Sequence, residues 1–198
     1  MSTFPQMVKV VPEAAIGTAE VRHVTVTEEQ SRFTALRGAH SYVAAGRYAQ
    51  LFVNGSLVMS DTSYERNSNY KIVQQAHGRV MVAGYGLGMI LTAILPLPRV
   101  REVVVVEKHA DVIAVVDPHI RRYVKKSCAK KLTVVEADVF AARPLVRGPF
   151  DCLWFDIWGD VSTDALAEMS ALTRKYRALK ASRESYMECW DRDWLRYL

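Results

Sequence analysis

The pattern of hydrophobic and polar residues changes near residue 76. Before that point it alternates with a period of two, so that residues 19–27 place Val21, His23 and Thr25 on one side of a strand. Residues 47–60 form two further strand-like runs joined by Asn54-Gly55, a dipeptide typical of tight β-hairpins. The pattern therefore predicts a β-rich hairpin region over residues 1–75.

After residue 76 short apolar runs alternate with helical patterns. The predicted strands are 79–84, 102–108, 132–138 and 150–156. Helices are predicted over 87–95, from 110, again from Asp117-Pro118, and over 163–180, where one face carries Leu166, Met169, Leu172, Tyr176 and Leu179. This alternation predicts an α/β fold, a Rossmann-like doubly wound parallel sheet over residues 76–198.

The run VMVAGYGLGM, residues 80–89, opens the first of these strand–helix units with three glycines. A strand followed by a glycine turn and a helix lets a backbone approach a ligand at the carboxyl end of the sheet. Met89 stands where a dinucleotide fingerprint has its third glycine, which argues against a nicotinamide cofactor. The residues alone leave a nucleoside-binding loop and a purely structural turn open as alternatives.

Acidic residues end the next three predicted strands. Glu107 is placed where a carboxylate can bind both hydroxyls of a ribose, although an exposed strand end would look the same. Asp138 suits the exocyclic amine of a base, or equally the cap of a turn. Asp156 precedes Ile157-Trp158, and partial desolvation beside an aromatic ring suits a base or a group that binds a cation.

Taken together, these motifs over residues 45–175 resemble the class I S-adenosylmethionine (SAM)-dependent methyltransferases, in particular the spermidine-synthase-like branch. The similar segments are the hairpin 48–70, VMVAGYGLG, VVVVEKHADVIAV, VVEADVF and FDCLWFDIW. The resemblance implies methyl transfer from SAM to an unidentified acceptor, with Asp156 as the catalytic residue. It implies cofactor contacts from Gly84, Tyr85, Gly86, Gly88, Glu107, Lys108, Asp138 and Val139. The acceptor-side neighbours that it implies are Tyr64, Asn69 and Trp158.

The chain also departs from the family pattern. Aminopropyltransferases usually carry an aspartate where this sequence has Leu87, so aminopropyl transfer from decarboxylated SAM is the second interpretation. Class I enzymes normally add three strands after the predicted helix 163–180. Here residues 182–198 predict a helix with Tyr186, Trp190 and Trp194 spaced four apart, which would cover the sheet edge. A homodimer could cover it instead, and a non-catalytic SAM-binding protein is a further hypothesis.

Composition and charge bear on the cellular location, metal binding and partners that the sequence predicts. Three cysteines with no CxxC pair predict a reducing compartment, the cytoplasm, and no apolar run is long enough to span a membrane. The five histidines form no spaced ligand set, so no metal is predicted. The net charge of +5 comes from the segment 121–131. A solvated helix face is the favoured interpretation of that segment, and a surface for nucleic-acid phosphates is the alternative.

Overall fold

The computed structural model describes residues 4–36, 42–141, 146–159 and 165–195, with the backbone alone for residues 194 and 195. The change of pattern near residue 76 separates two sheets. The first is antiparallel in the order β1-β2-β3-β4, comprising β1 (Ala14–Ile16), β2 (Ala19–Val26), β3 (Gly46–Val53) and β4 (Ser56–Ser60). Asn54 and Gly55 have φ of 52° and 76°, as a tight hairpin turn requires, so the predicted hairpin is confirmed.

The second sheet is parallel in the order β7-β6-β5-β8-β9. Its strands are β5 (Gly78–Ala83), β6 (Val100–Glu107), β7 (Leu132–Glu136), β8 (Cys152–Phe155) and β9 (Tyr186–Cys189). The chain runs outward from β5 to β7, then returns to β8 on the other side of β5. Strand order therefore reverses between β5 and β8, where α/β sheets bind ligands. The α/β fold with a parallel sheet agrees with the sequence-based prediction.

The described part of the chain contains eight α-helices besides these strands. They are α1 (Glu28–Ala35), α2 (Ser63–Ser68), α3 (Tyr70–Gln75), α4 (Met89–Ile94), α5 (Ala110–Tyr123), α6 (Lys126–Ala129), α7 (Ala165–Tyr176) and α8 (Arg192–Leu195). The prediction of a second helix from Asp117-Pro118 is wrong, because α5 continues through Pro118. Val115, Val116 and Ile120 continue one buried face across the proline, so packing against the sheet outweighs its helix-breaking tendency.

The predicted C-terminal helix is also wrong. Tyr186–Cys189 form β9, which pairs in parallel with β8, and the Trp190 N–H donates to the Phe155 carbonyl at 2.8 Å. The ring of Tyr186 stacks on that of Trp154 with centroids 6.4 Å apart. A spacing of four between aromatic residues fits a helix, but a run of only four residues is ambiguous, and pairing with the sheet decides it.

The two sheets share one hydrophobic core. Buried side chains of the antiparallel sheet, such as Val21 and Leu51, pack in the same cluster as Val82 and Val105 of the parallel sheet. A polar contact also joins them, because the Asp111 carboxylate of α5 accepts the Thr18 N–H at 2.7 Å and its hydroxyl at 2.9 Å. These bonds lower the pKa of Asp111. Among the described helices, none has the length and hydropathy to cross a membrane.

Candidate functional site

A cleft of about 380 Å³ opens at the carboxyl ends of β5, β6 and β8, beneath strand β4. The volume lies in the range of small-molecule sites. The loop after β5 (residues 84–88, the glycine loop) and Glu107 line one part of it, and Asp156 after β8 lines another. The reversal of strand order thus brings the glycine loop and Asp156 together.

Protein packing gives each glycine of this loop a structural role. A Cβ on Gly84 would lie 2.0 Å from the Asp156 carbonyl oxygen, and its φ of 95° also disfavours a side chain. A Cβ on Gly86 would lie 2.3 Å from the Met59 Sδ, and one on Gly88 2.5 Å from Ile120. Gly84 meets backbone and is explained without a ligand, whereas Gly86 and Gly88 meet side-chain atoms, so the cofactor role of the loop stays a prediction.

Glu107 closes the turn between the glycine loop and β6. It is 8% exposed, and its two carboxylate oxygens accept the backbone N–H groups of Tyr85 and His109, each at 2.8 Å. A carboxylate offers about four acceptor positions, so two remain for a ligand in the cleft. This arrangement fits the hydroxyl pair of a ribose, and it also ties the loop to the strand end.

Two further predicted cofactor residues stand beside Glu107. The Tyr85 ring is buried, and its hydroxyl donates to Asp117 at 2.9 Å. Burial and the Asp117 carboxylate raise the pKa of the Tyr85 hydroxyl. The tyrosine thereby anchors the loop to α5. Lys108 is exposed at the rim of the cleft.

The Asp138–Val139 pair borders the cleft beyond β7. One Asp138 carboxylate oxygen accepts the Phe140 N–H at 2.7 Å, so the side chain does cap a turn. Asp138 is exposed, and its second oxygen is available to a ligand. The Val139 side chain is buried, and its carbonyl accepts the Tyr176 hydroxyl at 3.1 Å. The turn cap is therefore observed, whereas a contact between this pair and adenine stays a prediction.

The opposite part of the cleft is acidic, lined by Glu65, Asp156 and Glu168 (the acidic end). Burial, then the charge of Asp191, raise the pKa of Asp156 to about 7, against a hydrogen bond from Asn69 that lowers it. Burial and the charges of Asp156 and Asp191 raise the pKa of Glu65 to about 8. Carboxyl groups with these pKa values can exchange protons near neutral pH or bind a cation.

The three predicted acceptor-side residues occupy different places. Trp158 lines the cleft, and its indole N–H donates to Glu168 at 2.9 Å. Asn69 is fully buried and takes the Trp154 indole N–H at 3.2 Å, so it acts on the cleft through its bond to Asp156. The Tyr64 hydroxyl donates to Asp191, and burial raises the pKa of the Tyr64 hydroxyl. Tyr64 thus contacts Asp191 rather than the cleft.

Sequence reasoning missed Glu65, Glu168, Asp191 and Met59. The acidic residues come from α2, α7 and the turn after β9, so nothing in their spacing indicates that they meet. Asp191 has a φ of 50°, unusual for a residue other than glycine, and follows strand β9, where the sequence pattern predicts a helix. The signal for Glu65 is its place one residue after Tyr64, which the resemblance puts on the acceptor side.

Substitution of Glu107 separates its structural role from ligand binding. Glu107→Ala leaves two backbone N–H groups without an acceptor, so we expect a loss of about 2–4 kcal/mol in the free energy of unfolding. If the cleft holds the nucleoside cofactor that the resemblance implies, Glu107→Gln, which keeps one acceptor, should weaken S-adenosylhomocysteine binding about tenfold in calorimetric titration. The control Glu136→Gln changes the exposed residue that pairs with Glu107 in register.

A ligand analogue completes this experiment. The wild-type chain should bind the 2′-deoxy analogue of S-adenosylhomocysteine less tightly than the parent, and Glu107→Gln should reduce that preference. If the variant discriminates as well as the wild type does, Glu107 serves the loop alone.

The basic segment lies at the amino end of the parallel sheet, away from the cleft. Arg121 pairs with Asp117 at 2.7 Å, and the Lys131 ammonium donates to the carbonyls of Leu95 and Leu97 at 3.0 and 3.1 Å. Both side chains thus stabilise the fold. The remaining cations are exposed, namely Arg122, Lys125, Lys126 and Lys130. Within the described residues, no group of three or more His, Cys, Asp or Glu is arranged to hold a metal.

Comparison with known proteins gives likenesses in structure only. No family model and no curated protein matches the sequence. The chain is similar to precorrin-8w decarboxylase of Methanobacterium thermoautotrophicum (14% identity, 61% of this chain and 60% of that one, TM-score 0.46). It is also similar to the glycopeptide N-methyltransferase MtfA in complex with SAM (15% identity, 61% of this chain and 48% of that one, TM-score 0.46). A third such structure is coclaurine N-methyltransferase bound to N-methylheliamine and S-adenosylhomocysteine (15% identity, 63% of this chain and 34% of that one, TM-score 0.46).

The chain thus spans 60% or less of the length of each of these three structures. With TM-scores below 0.5 and identities of 15% or lower, nothing about activity or ligand follows from them. None of the three is a spermidine synthase, and the narrower resemblance to that branch stays a prediction.

Proposed function

We propose that this chain binds SAM in the cleft and transfers its methyl group to an amine nitrogen held at the acidic end. The observation that carries the proposal is the division of one cleft into two chemically different parts. Glu107 and the glycine loop suit a nucleoside, whereas Glu65, Asp156 and Glu168 suit a cation. A nucleoside cofactor with a transferable group beside an amine acceptor would use both.

The residues present fit SAM. Glu107 retains acceptor positions on the cleft side, and Asp138 offers a carboxylate oxygen farther along it. Apolar side chains, among them Ile90 and Val112, line the cleft between the polar groups. When bound, SAM supplies an electrophilic methyl group on a sulfonium, which becomes a neutral thioether after transfer.

Asp156 has two roles in this proposal. An aliphatic amine carries a proton at neutral pH, with a pKa near that of lysine, about 10.4. Its lone pair attacks carbon only after that proton has gone. A carboxylate with a pKa of about 7 can accept the proton while the Glu168 carboxylate favours a positive charge nearby. Glu65, with a pKa of about 8, is mostly protonated at neutral pH and lines the site as a neutral acid. Asn69, bonded to Asp156, orients the carboxylate, and most of the remaining effect comes from positioning the two reactants.

Aminopropyl transfer from decarboxylated SAM remains the second candidate, because the acidic end would also receive a polyamine. Both reactions need an amine nucleophile without its proton, so the acceptor side does not separate them. The cofactor does separate them.

Calorimetric titration with SAM, decarboxylated SAM and NADH in parallel tests the proposal. We expect saturable SAM binding, followed by transfer of a radiolabelled methyl group to members of a panel of primary and secondary amines. A preference for decarboxylated SAM would favour aminopropyl transfer. SAM binding without transfer to any acceptor would favour the non-catalytic hypothesis. If none of the three ligands binds, the glycine loop is a structural turn and the proposal is wrong.

A further inference from the structure

Strand β4 crosses the mouth of the cleft and places a methionine on the glycine loop. The Met59 Sδ accepts the Leu87 N–H at 3.2 Å. The same sulfur lies 2.3 Å from the position that a Cβ on Gly86 would occupy. Met59 is partly buried and lines the cleft together with Gly86. The loop is therefore in direct contact with a side chain from the antiparallel sheet.

A β-bulge produces this placement. Leu51 pairs with Met59, whereas the next residue of β3, Phe52, pairs with Leu57, so Val58 is the extra residue of β4. A bulge turns the strand and redirects its side chains. The backbone of Val58 lies beside Gly159, where a Cβ would be 3.7 Å from the Val58 carbonyl oxygen. Strand β4 thus reaches from the loop after β5 to the loop after β8.

The contact between Met59 and Leu87 is of a kind that a ligand can replace. A thioether sulfur is a weak acceptor, whereas hydrogen bonds to a carboxylate are roughly twice as strong as those between neutral groups. Methionine also has three rotatable side-chain bonds, so its tip can move without a change in the strand. SAM carries a carboxylate, which is a stronger acceptor than the thioether for a backbone N–H donor.

We propose that the Met59 side chain occupies part of the cofactor site and that SAM binding displaces its sulfur from the Leu87 N–H. The inference rests on the proposed function, since it needs a ligand at the glycine loop. It makes Met59 a determinant of cofactor affinity. The wild-type chain binds SAM only in the fraction of molecules whose Met59 side chain has left the loop.

Removing this side chain should strengthen cofactor binding. If the loop is free in about a fifth of the wild-type molecules, Met59→Ala lowers the apparent Kd for SAM about fivefold. The control Leu57→Ala truncates an exposed residue of the same strand, and we expect it to leave the Kd unchanged. Equal affinity of Met59→Ala and the wild type, or weaker binding by the variant, would overturn the inference.

A measurement on the wild-type chain avoids any effect of the substitution on folding. With [methyl-¹³C]methionine, the seven methionine methyl resonances can be followed by NMR, and that of Met59 is assigned by its loss in Met59→Leu. We expect this resonance to move as SAM is added, in proportion to the occupancy that calorimetry gives. If SAM binds and the resonance stays in place, the inference is wrong while the proposed function stands. If SAM does not bind the wild type or Met59→Ala, the proposed function itself is wrong.

Discussion

Asp156→Asn should reduce methyl transfer by about 10³-fold while leaving the Kd for SAM unchanged. A positioned base contributes about 10²–10⁴ to a rate, and asparagine keeps the size of the side chain but cannot take up the proton of the acceptor. The transfer rate of the wild-type chain should rise with pH and level off above about 7, where Asp156 ionises. In the variant the levelling near pH 7 should be absent, and the slower rate should keep rising to pH 9, because only amine that has already lost its proton, with a pKa of about 10.4, can react. Single-turnover rates and calorimetric titration between pH 6 and 9 measure both quantities.

The same substitution should stabilise the fold at alkaline pH. In the unfolded chain an aspartate ionises with a pKa of about 3.9, whereas burial and Asp191 raise the pKa of Asp156 to about 7 in the folded chain. Between these values the folded state binds more protons, so the contribution of Asp156 to stability falls as pH rises and is lowest above about 7. The asparagine side chain of the variant carries no charge and avoids this loss. We therefore expect a higher Tm for the variant than for the wild type at pH 8.

The control is Asp193→Asn, which removes a half-exposed carboxylate paired with Lys71 on the surface. It should change neither the rate nor the Tm appreciably, since exposed ion pairs contribute little. An Asp156→Asn variant with an unchanged rate would show that Asp156 is not the base. A lower Tm at pH 8 would show that the carboxylate is stabilising where it lies.

The parallel sheet could be predicted because its strands are buried on both faces. Valines at 103–106 are apolar at every position, and such a run followed by a helix has few other interpretations. The hairpin followed from Asn54-Gly55, whose positive φ values are a local property. Strand β9 and the unbroken helix α5 could not be predicted, since pairing with β8 and a continuous buried face outweigh the local signals.

Part of the candidate site could likewise be predicted from the sequence, and part of it could not. Glu107 and Asp156 lie at the carboxyl ends of strands in the same parallel sheet, so their positions follow from the order of the elements. The acidic end needs Glu65 and Glu168 beside Asp156, and the nearby charge of Asp191 raises the pKa values of Asp156 and Glu65. Separate segments bring these residues together, so no spacing in the sequence reveals them. The sequence also contains three glycines, but it does not reveal that Gly84 packs against the Asp156 carbonyl while Gly86 and Gly88 pack against the side chains of Met59 and Ile120.

Gly84→Ala should greatly lower the free energy of unfolding, and Gly55→Ala is its matched control. Both glycines have a positive φ, 95° and 76°, which costs a non-glycine residue about 1–2 kcal/mol. An added Cβ at Gly55 meets nothing within 4 Å, whereas at Gly84 it would lie 2.0 Å from the Asp156 carbonyl oxygen. We expect Gly55→Ala to lower the free energy of unfolding by about 1 kcal/mol and Gly84→Ala by about 4 kcal/mol or more, as measured by urea denaturation.

The difference between the two variants reports how firmly Asp156 is held. The Asp156 N–H donates to the Ala83 carbonyl at 2.8 Å, and the Gly84 N–H donates to the Val106 carbonyl at 2.9 Å, so both sides of the clash belong to the strand network. The backbone cannot move apart at Gly84 without breaking those bonds. Equal losses in the two variants would mean that the end of β8 yields easily, and a base on such a segment would not be positioned for transfer. A larger loss for Gly84→Ala, accompanied by loss of methyl transfer, would tie the glycine loop and the base into one rigid unit.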